Sequence, residues 1–221
     1  MPRALPELCV PEGLSQWEDQ GGHAVQVLAS LQHPRVAILG QMLSPAECAA
    51  LIDEARPRLS RSETVVNETG GSEVNRARTS QGMFFQRGET PLCRRIEARI
   101  AALLGWPVDH GEGLQVLRYA PGAEYKAHYD YFDPDHAGTS SILRRGGQRV
   151  ATLVMYLNTP EEGGATVFPD AGLSVSAVAG QAVFFAYGSP EPSTGTLHGG
   201  APVVRGEKWV ATKWLREGHF E

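Results

Sequence analysis

The chain has 221 residues, 42% hydrophobic and 20% charged, with a formal net charge of −5. That is ordinary composition for one globular domain and excludes general disorder. The acidic balance argues against a protein built to grip nucleic acid. The 25 glycines and 15 prolines are spread along the chain, as suits a turn-rich β protein. Cys9, Cys48 and Cys93 are scattered, without CxxC or zinc-finger spacing, and read as reduced thiols of a cytoplasmic protein. The start, MPRALPELCVPEG, is broken by three prolines. Neither an export signal nor a membrane span is expected.

In chain order, the apolar residues Leu14, Trp17, Leu28 and Leu31 have loosely helical spacing, weakened by Gly21-Gly22. Val36 to Leu39 reads as a short buried strand. Ser44-Pro45-Ala46-Glu47 is a helix start, with an N-cap serine, proline in the first turn and glutamate placed for a capping box. Cys48, Leu51, Ile52, Ala55 and Leu59 then form one apolar helical face. A second helix is predicted from Thr90-Pro91 to Gly105, with Leu92, Ile96, Ile100, Leu103 and Leu104 inward. Between the helices, residues 67–75 (NETGGSEVN) read as a mobile loop.

From Leu114 the period changes from helix to strand. LQVLRY, EYKAHYDYF, RVATLVMYLN, ATVF, LSVSAV, QAVFFAY and KWVATKWL are short and rich in Val, Tyr, Phe, Trp and Thr. They suit an antiparallel sandwich or jelly roll, in an α+β chain with a helical first half. Residues 133–147 form a long stretch without strand character, a candidate lid together with 67–75.

His128 and Asp130 stand two apart on a predicted strand, so an imidazole and a carboxylate would share one face. A second imidazole, His198, lies between two later strands. Two histidines and one carboxylate can take one face of an octahedral Fe(II) and leave three positions open. On KWVATKWL, Lys208, Val210, Thr212 and Trp214 share a parity. If that face points inward, Lys208 needs a counter-charge, which a bound carboxylate would supply. Otherwise it snorkels at the strand end.

The blocks RTSQGMFF (78–85), EGLQVLRYAPGAEYKAHYDYF (112–132), RVATLVMYLN (149–158), GGATVFPD (163–170) and HGGAPVVRGEKWVATKWLRE (198–217) closely resemble the prolyl 4-hydroxylases. These are Fe(II)- and 2-oxoglutarate-dependent dioxygenases. The resemblance extends from about Gln41 and implies a double-stranded β-helix (jelly-roll) core with N-terminal packing helices over 36–221. Residues 1–35 are left as an extension of unknown role: a packing helix, a dimer contact or a tag-like segment.

The resemblance implies that His128, Asp130 and His198 bind iron, and that Lys208 pairs with the distal carboxylate of 2-oxoglutarate. It implies that Tyr119 and Thr166 help hold that co-substrate. Arg78, Ser80, Glu112, Arg149 and Trp214 match positions lining the family's peptide groove, with Arg149 counted also among the catalytic groups. Tyr129 and Tyr131 read as core or groove-wall aromatics. Two departures stand out: Arg216 where many relatives have histidine, and Ala201 where they often have cysteine.

The expected reaction uses Fe(II), 2-oxoglutarate and O₂, with ascorbate an open requirement, and releases succinate and CO₂. The expected target is C4 of proline in a peptide or protein. The alternatives are the same oxygenase chemistry on a free amino acid, a small metabolite or another protein side chain; a non-catalytic β-barrel binding module; and a zinc hydrolase, which leaves Lys208 unexplained. The expected partner is a proline-containing peptide, with no nucleic acid and no membrane, and a homodimer left open.

Overall fold

The computed structural model describes residues 4–10, 15–61, 64–65, 72–73 and 79–221. Helices form where the capping signals stand. Ser44 caps α1 (Pro45–Ala55): its Oγ accepts from the Glu47 amide at 3.2 Å, and the Glu47 carboxylate accepts from the Ser44 amide at 2.9 Å. Thr90 caps α2 (Pro91–Leu104) by accepting from the Cys93 amide. The helix stops at Gly105, whose φ of 57° suits glycine.

Before α1 the chain is extended. The helix expected across Leu14–Leu31 is replaced by strands β1 (Gln16–Glu18) and β2 (Ala24–Leu31), followed by β3 (Arg35–Gly40). The reason lies in the turn. The Asp19 carboxylate accepts from the amides of Gly21 and His23, both at 2.9 Å, and Gly22 takes a φ of 78°, which reverses the chain. Both flanking segments can then pair, β1 with β2 and β2 with β3.

Four strands flank or lie between the helices in sequence: β4 (Ser60–Arg61), β5 (Thr64–Val65), β6 (Ser72–Glu73) and β7 (Gln81–Phe85). Of the expected loop 67–75, only residues 72–73 are described, paired with 64–65; the rest lies outside the described residues. After α2 come β8 (Leu114–Tyr119) and β9 (Tyr125–His128). The long connection 133–147 contains a short helix, α3 (Thr139–Leu143), rather than being wholly irregular. The remaining strands are β10 (Arg149–Tyr156), β11 (Glu162–Gly163), β12 (Thr166–Phe168), β13 (Leu173–Val175), β14 (Ala182–Ala186), β15 (His198–Gly200), β16 (Val203–Arg205) and β17 (Lys208–Arg216).

A nine-stranded antiparallel sheet runs β1-β2-β3-β14-β10-β17-β8-β7-β4, and a four-stranded one runs β13-β12-β15-β9. Strand periodicity divides the core in two. Leu153 and Met155 of β10, Phe184 of β14 and Trp209 and Ala211 of β17 pack with Leu51, Ile96 and Ile100 of the helices. The intervening residues, Tyr156, Val183, Phe185 and Val210, face the smaller sheet and meet Phe168 and Val175. The small sheet thus covers one face of the large sheet, and the helices cover the other. Among the described residues, no helix is long and apolar enough to cross a membrane.

On the helix side one charge pair is fully enclosed. Lys213 Nζ donates to Glu97 Oε1 at 2.6 Å, with the two side chains 2% and 1% exposed. Glu97→Ala strands a buried ammonium and should cost about 3–5 kcal/mol, whereas a double change to apolar residues of similar size should recover most of the loss. Urea unfolding of the three proteins checks this; a single variant as stable as the parent contradicts it.

Candidate functional site

Antiparallel pairing of β9 with β15 sets His128 directly opposite His198. The two rings lie 4.4 Å apart, centre to centre. Each Nδ1 sits beside a backbone carbonyl, that of Lys126 at 2.9 Å and of Thr196 at 3.0 Å. Those acceptors favour the proton on Nδ1 and turn both Nε2 lone pairs into the space between the sheets.

Asp130 reaches the same space by a different route from the one expected. β9 ends at His128, so Asp130 does not share a strand face with it but lies in the bend beyond. Side chains of the β10 region hold this bend. Gln148 accepts from the Phe132 amide at 2.8 Å and donates to the Phe132 carbonyl at 2.7 Å. Arg149 donates to the Asp130 carbonyl at 3.4 Å, and Thr152 Oγ1 donates to Asp130 Oδ2 at 2.7 Å. His128 Nε2 lies 3.5 Å from Asp130 Oδ1, and His198 Nε2 lies 3.5 Å from Oδ2. Ligand atoms from the three residues fall within 4.8 Å of one another.

Burial pushes the Asp130 carboxyl up, but the two imidazoles and Arg149 outweigh it and hold it well below the usual carboxylate range. Burial lowers His198 to about 4, against the pull of Asp130. A neutral His198 imidazole and an ionised Asp130 carboxylate are forms a divalent metal takes. Two nitrogens and one oxygen, converging from one side, fit a three-ligand Fe(II) site with positions left open.

A cavity of about 50 Å³ adjoins the triad. Its wall includes Lys208, Val210, Thr212 and Trp214, so the even face of β17 points inward. Lys208 is 4% exposed, and burial lowers its ammonium to about 8. Its Nζ lies 5.6 Å from the ring centres of both Tyr119 and Tyr156. Among the described residues it forms no ion pair, so a carboxylate ligand fits the charge. Tyr119 stands opposite Lys208 in the β8–β17 register. Thr166 also lines the cavity, and Tyr156 OH donates to its Oγ1 at 2.9 Å, leaving the threonine proton to donate elsewhere.

Beside the triad, Glu112 bridges two arginines. Its Oε1 accepts from Arg149 Nε at 2.6 Å and Arg216 Nε at 2.7 Å, and its Oε2 accepts from Arg149 at 3.0 Å. Burial raises this carboxyl, yet the two guanidiniums keep it below its ordinary value. Both oxygens are thereby engaged, so Glu112 is placed to hold Arg149. Guanidiniums and rings alternate outward: Arg149 lies 4.1 Å from the Trp214 ring and 4.8 Å from Phe132, and Arg216 lies 4.8 Å from Phe132 and 5.0 Å from Phe220. Trp214 Nε1 is buried without a hydrogen-bond partner among the described residues. Ser80 is buried; Arg78 lies outside the described residues. Tyr129 and Tyr131 stack at 4.8 Å, and burial first, then Tyr129, pushes the Tyr131 phenol up to about 12.

Sequence reasoning missed Thr152, Tyr156 and Tyr187 and the pairing of Arg216. Thr152 and Tyr156 share the inward parity of Val154 within RVATLVMYLN, so a stricter reading of that block could have found them. Nothing in the sequence links Tyr187 or Arg216 to their partners.

Residues 114–216 match the model of the 2OG-Fe(II) oxygenase superfamily. Probable prolyl 4-hydroxylase 3 of Arabidopsis thaliana is 42% identical over 95% of this chain and 77% of its own length. Prolyl 4-hydroxylase 1 of the same plant is 44% identical over 83% of this chain and 69% of its own. Among solved structures, the viral collagen prolyl hydroxylase of Paramecium Bursaria Chlorella virus-1, in complex with 2OG, superposes with a TM-score of 0.62 at 31% identity. It covers 82% of this chain and 95% of that one.

The Lys208 environment sets a pH dependence. A lysine that loses its proton near 8 attracts a dicarboxylate fully below that pH and progressively less above it. The dissociation constant for 2-oxoglutarate should therefore be level below pH about 8 and rise toward about tenfold per unit above it. Titration of the metal-loaded protein across that range checks this, and a level curve through pH about 10 contradicts it.

Proposed function

We infer that this chain, which belongs to the prolyl 4-hydroxylase family of 2OG-Fe(II) oxygenases, hydroxylates C4 of proline within a peptide or protein. The observation that carries the reading is the pairing of a His-Asp-His cluster with a buried lysine that has no acidic partner among the described residues. A zinc hydrolase has no use for that lysine, and a binding module has no use for either feature. The two facing sheets are read as the double-stranded β-helix, which their antiparallel order and the cavity between them support.

His128, Asp130 and His198 hold Fe(II). With 2-oxoglutarate and O₂, the metal supplies the oxidising power that inserts oxygen into an unactivated C–H bond, with release of succinate and CO₂. Lys208 pairs with the distal carboxylate of the co-substrate, while Thr166 donates its proton to that group and Tyr119 flanks it. Val154, Leu117 and Val210 wall the cavity with apolar surface and limit water.

Peptide binding falls to the groove beside the triad. Arg149, locked by Glu112 and stacked on the buried Trp214 ring, holds a fixed guanidinium beside the triad. A proline-rich peptide suits fixed donors, because it is already extended and loses little freedom on binding.

Incubation of candidate peptides with the Fe(II)-loaded protein, 2-oxoglutarate and O₂ should add one oxygen to proline, located at C4 by fragmentation and comparison with authentic 4-hydroxyproline. Succinate formation stimulated by a free amino acid and not by peptide would move the assignment to the other substrate class. Arg149→Ala should raise the peptide KM and lower peptide turnover, with 2-oxoglutarate binding little changed. Equal loss of both would make the arginine purely structural.

A further inference from the structure

The strand that carries His128 stops before Asp130, so no sheet hydrogen bond fixes the direction of that carboxylate. Besides the two imidazoles, a hydroxyl reaches it, backed by a second hydroxyl. Thr152, fully buried on β10, lies 2.7 Å through Oγ1 from Asp130 Oδ2. The Tyr187 hydroxyl, just beyond β14 and 1% exposed, lies 3.0 Å from the same Oγ1. The direction of both bonds follows from proton counting. A carboxylate that binds metal carries no proton, so Thr152 must donate to it. Thr152 has a single proton and has spent it, so Tyr187 must donate to Thr152.

We propose that Thr152 and Tyr187 are positioning residues that fix the rotation of the Asp130 carboxylate toward the metal, the hydroxyl holding Oδ2 while both oxygens stay within 3.5 Å of a histidine Nε2. Thr152 is suited to the task, because a β-branched side chain in a strand has restricted χ1 freedom. Tyr187 then settles which way the threonine hydroxyl turns. Without the hydroxyl, Asp130 keeps its place in the bend, since Gln148 and Arg149 still hold the backbone around it. Its carboxylate, however, becomes free to rotate or to bind through both oxygens, which would take a coordination position needed by the co-substrate. The proposal rests on the metal reading of His128, Asp130 and His198.

The test uses the full chain, stripped with chelator and titrated with Co(II) alone, reading affinity by calorimetry and coordination by visible absorption. Thr152→Val keeps the shape and deletes the hydroxyl; it should weaken Co(II) binding about 10–100-fold and change the absorption bands. Thr152→Ser restores the donor and should return affinity and bands close to those of the parent. Tyr187→Phe should shift both in the same direction by a smaller amount. Parental affinity and bands in Thr152→Val overturn the proposal. So does a Ser variant that loses as much as Val, because packing and not the hydroxyl would then matter. If Thr152→Val does not fold, the Ser and Phe variants decide: parental behaviour in Tyr187→Phe, or Val-like loss of binding in a folded Thr152→Ser, overturns the relay. A parent chain that binds no Co(II) refutes the metal reading itself, an outcome distinct from any of these.

Discussion

A single carboxylate, Asp130, placed just past the end of its strand and 8% exposed, is the constraint around which the site is arranged. Burying that charge is costly unless neighbours compensate for the lost water. The compensation comes from different parts of the chain: two imidazoles on paired strands, a threonine hydroxyl on β10 and the guanidinium that begins β10. Each is fixed by sheet register, so the large sheet and the small sheet must both be formed before the cluster exists. The geometry at the metal position is therefore a property of how two sheets face each other.

One strand shows how the fold separates structural charge from functional charge. Lys208 and Lys213 both lie on β17, five positions apart and so on opposite faces. Lys213 faces the helices and meets Glu97, a partner it has in the protein itself. Lys208 faces the cavity beside the rings of Tyr119 and Tyr156 and has no acidic partner among the described residues. Both are buried, and burial lowers both. A closed pair serves stability or specificity of the fold, whereas an enclosed cation without a fixed counter-charge is prepared for a ligand that brings one.

The arginines near the groove follow a third arrangement. Two guanidiniums share Glu112, and the rings of Trp214, Phe132 and Phe220 separate and flank them. The carboxylate fixes Arg149 from one side and the indole from another, leaving it few rotamers to lose on contact with a ligand. Arg216 adds a second positive charge to this cluster. Local net charge here is thus set by two cations around one anion.

Much of this was legible in the linear order of residues. The Ser44 and Thr90 caps marked both long helices because capping is local, satisfied within three or four residues. The change to period two after Leu114 marked the strands, and the parity of β17 placed Lys208 on the same face as Trp214. Residue type and spacing singled out His128, Asp130 and His198, the resemblance in the ordered blocks implied that they bind iron, and the fold brings the three together. Other features were decided only by the folded chain. Leu14–Leu31 has helical spacing, yet a turn at Gly22 and pairing with β3 made it strands, since a distant partner outweighed a weak local preference. Asp130 left its strand because side chains from residues 148–152 held the bend. Thr152, Tyr187, Glu112 and Arg216 acquired their roles from neighbours 22 to 104 residues away. Sequence determines what each segment prefers and which chemical groups it carries; register between sheets determines which of those groups meet, and hydrogen bonds and charge pairs across such distances have no local signature.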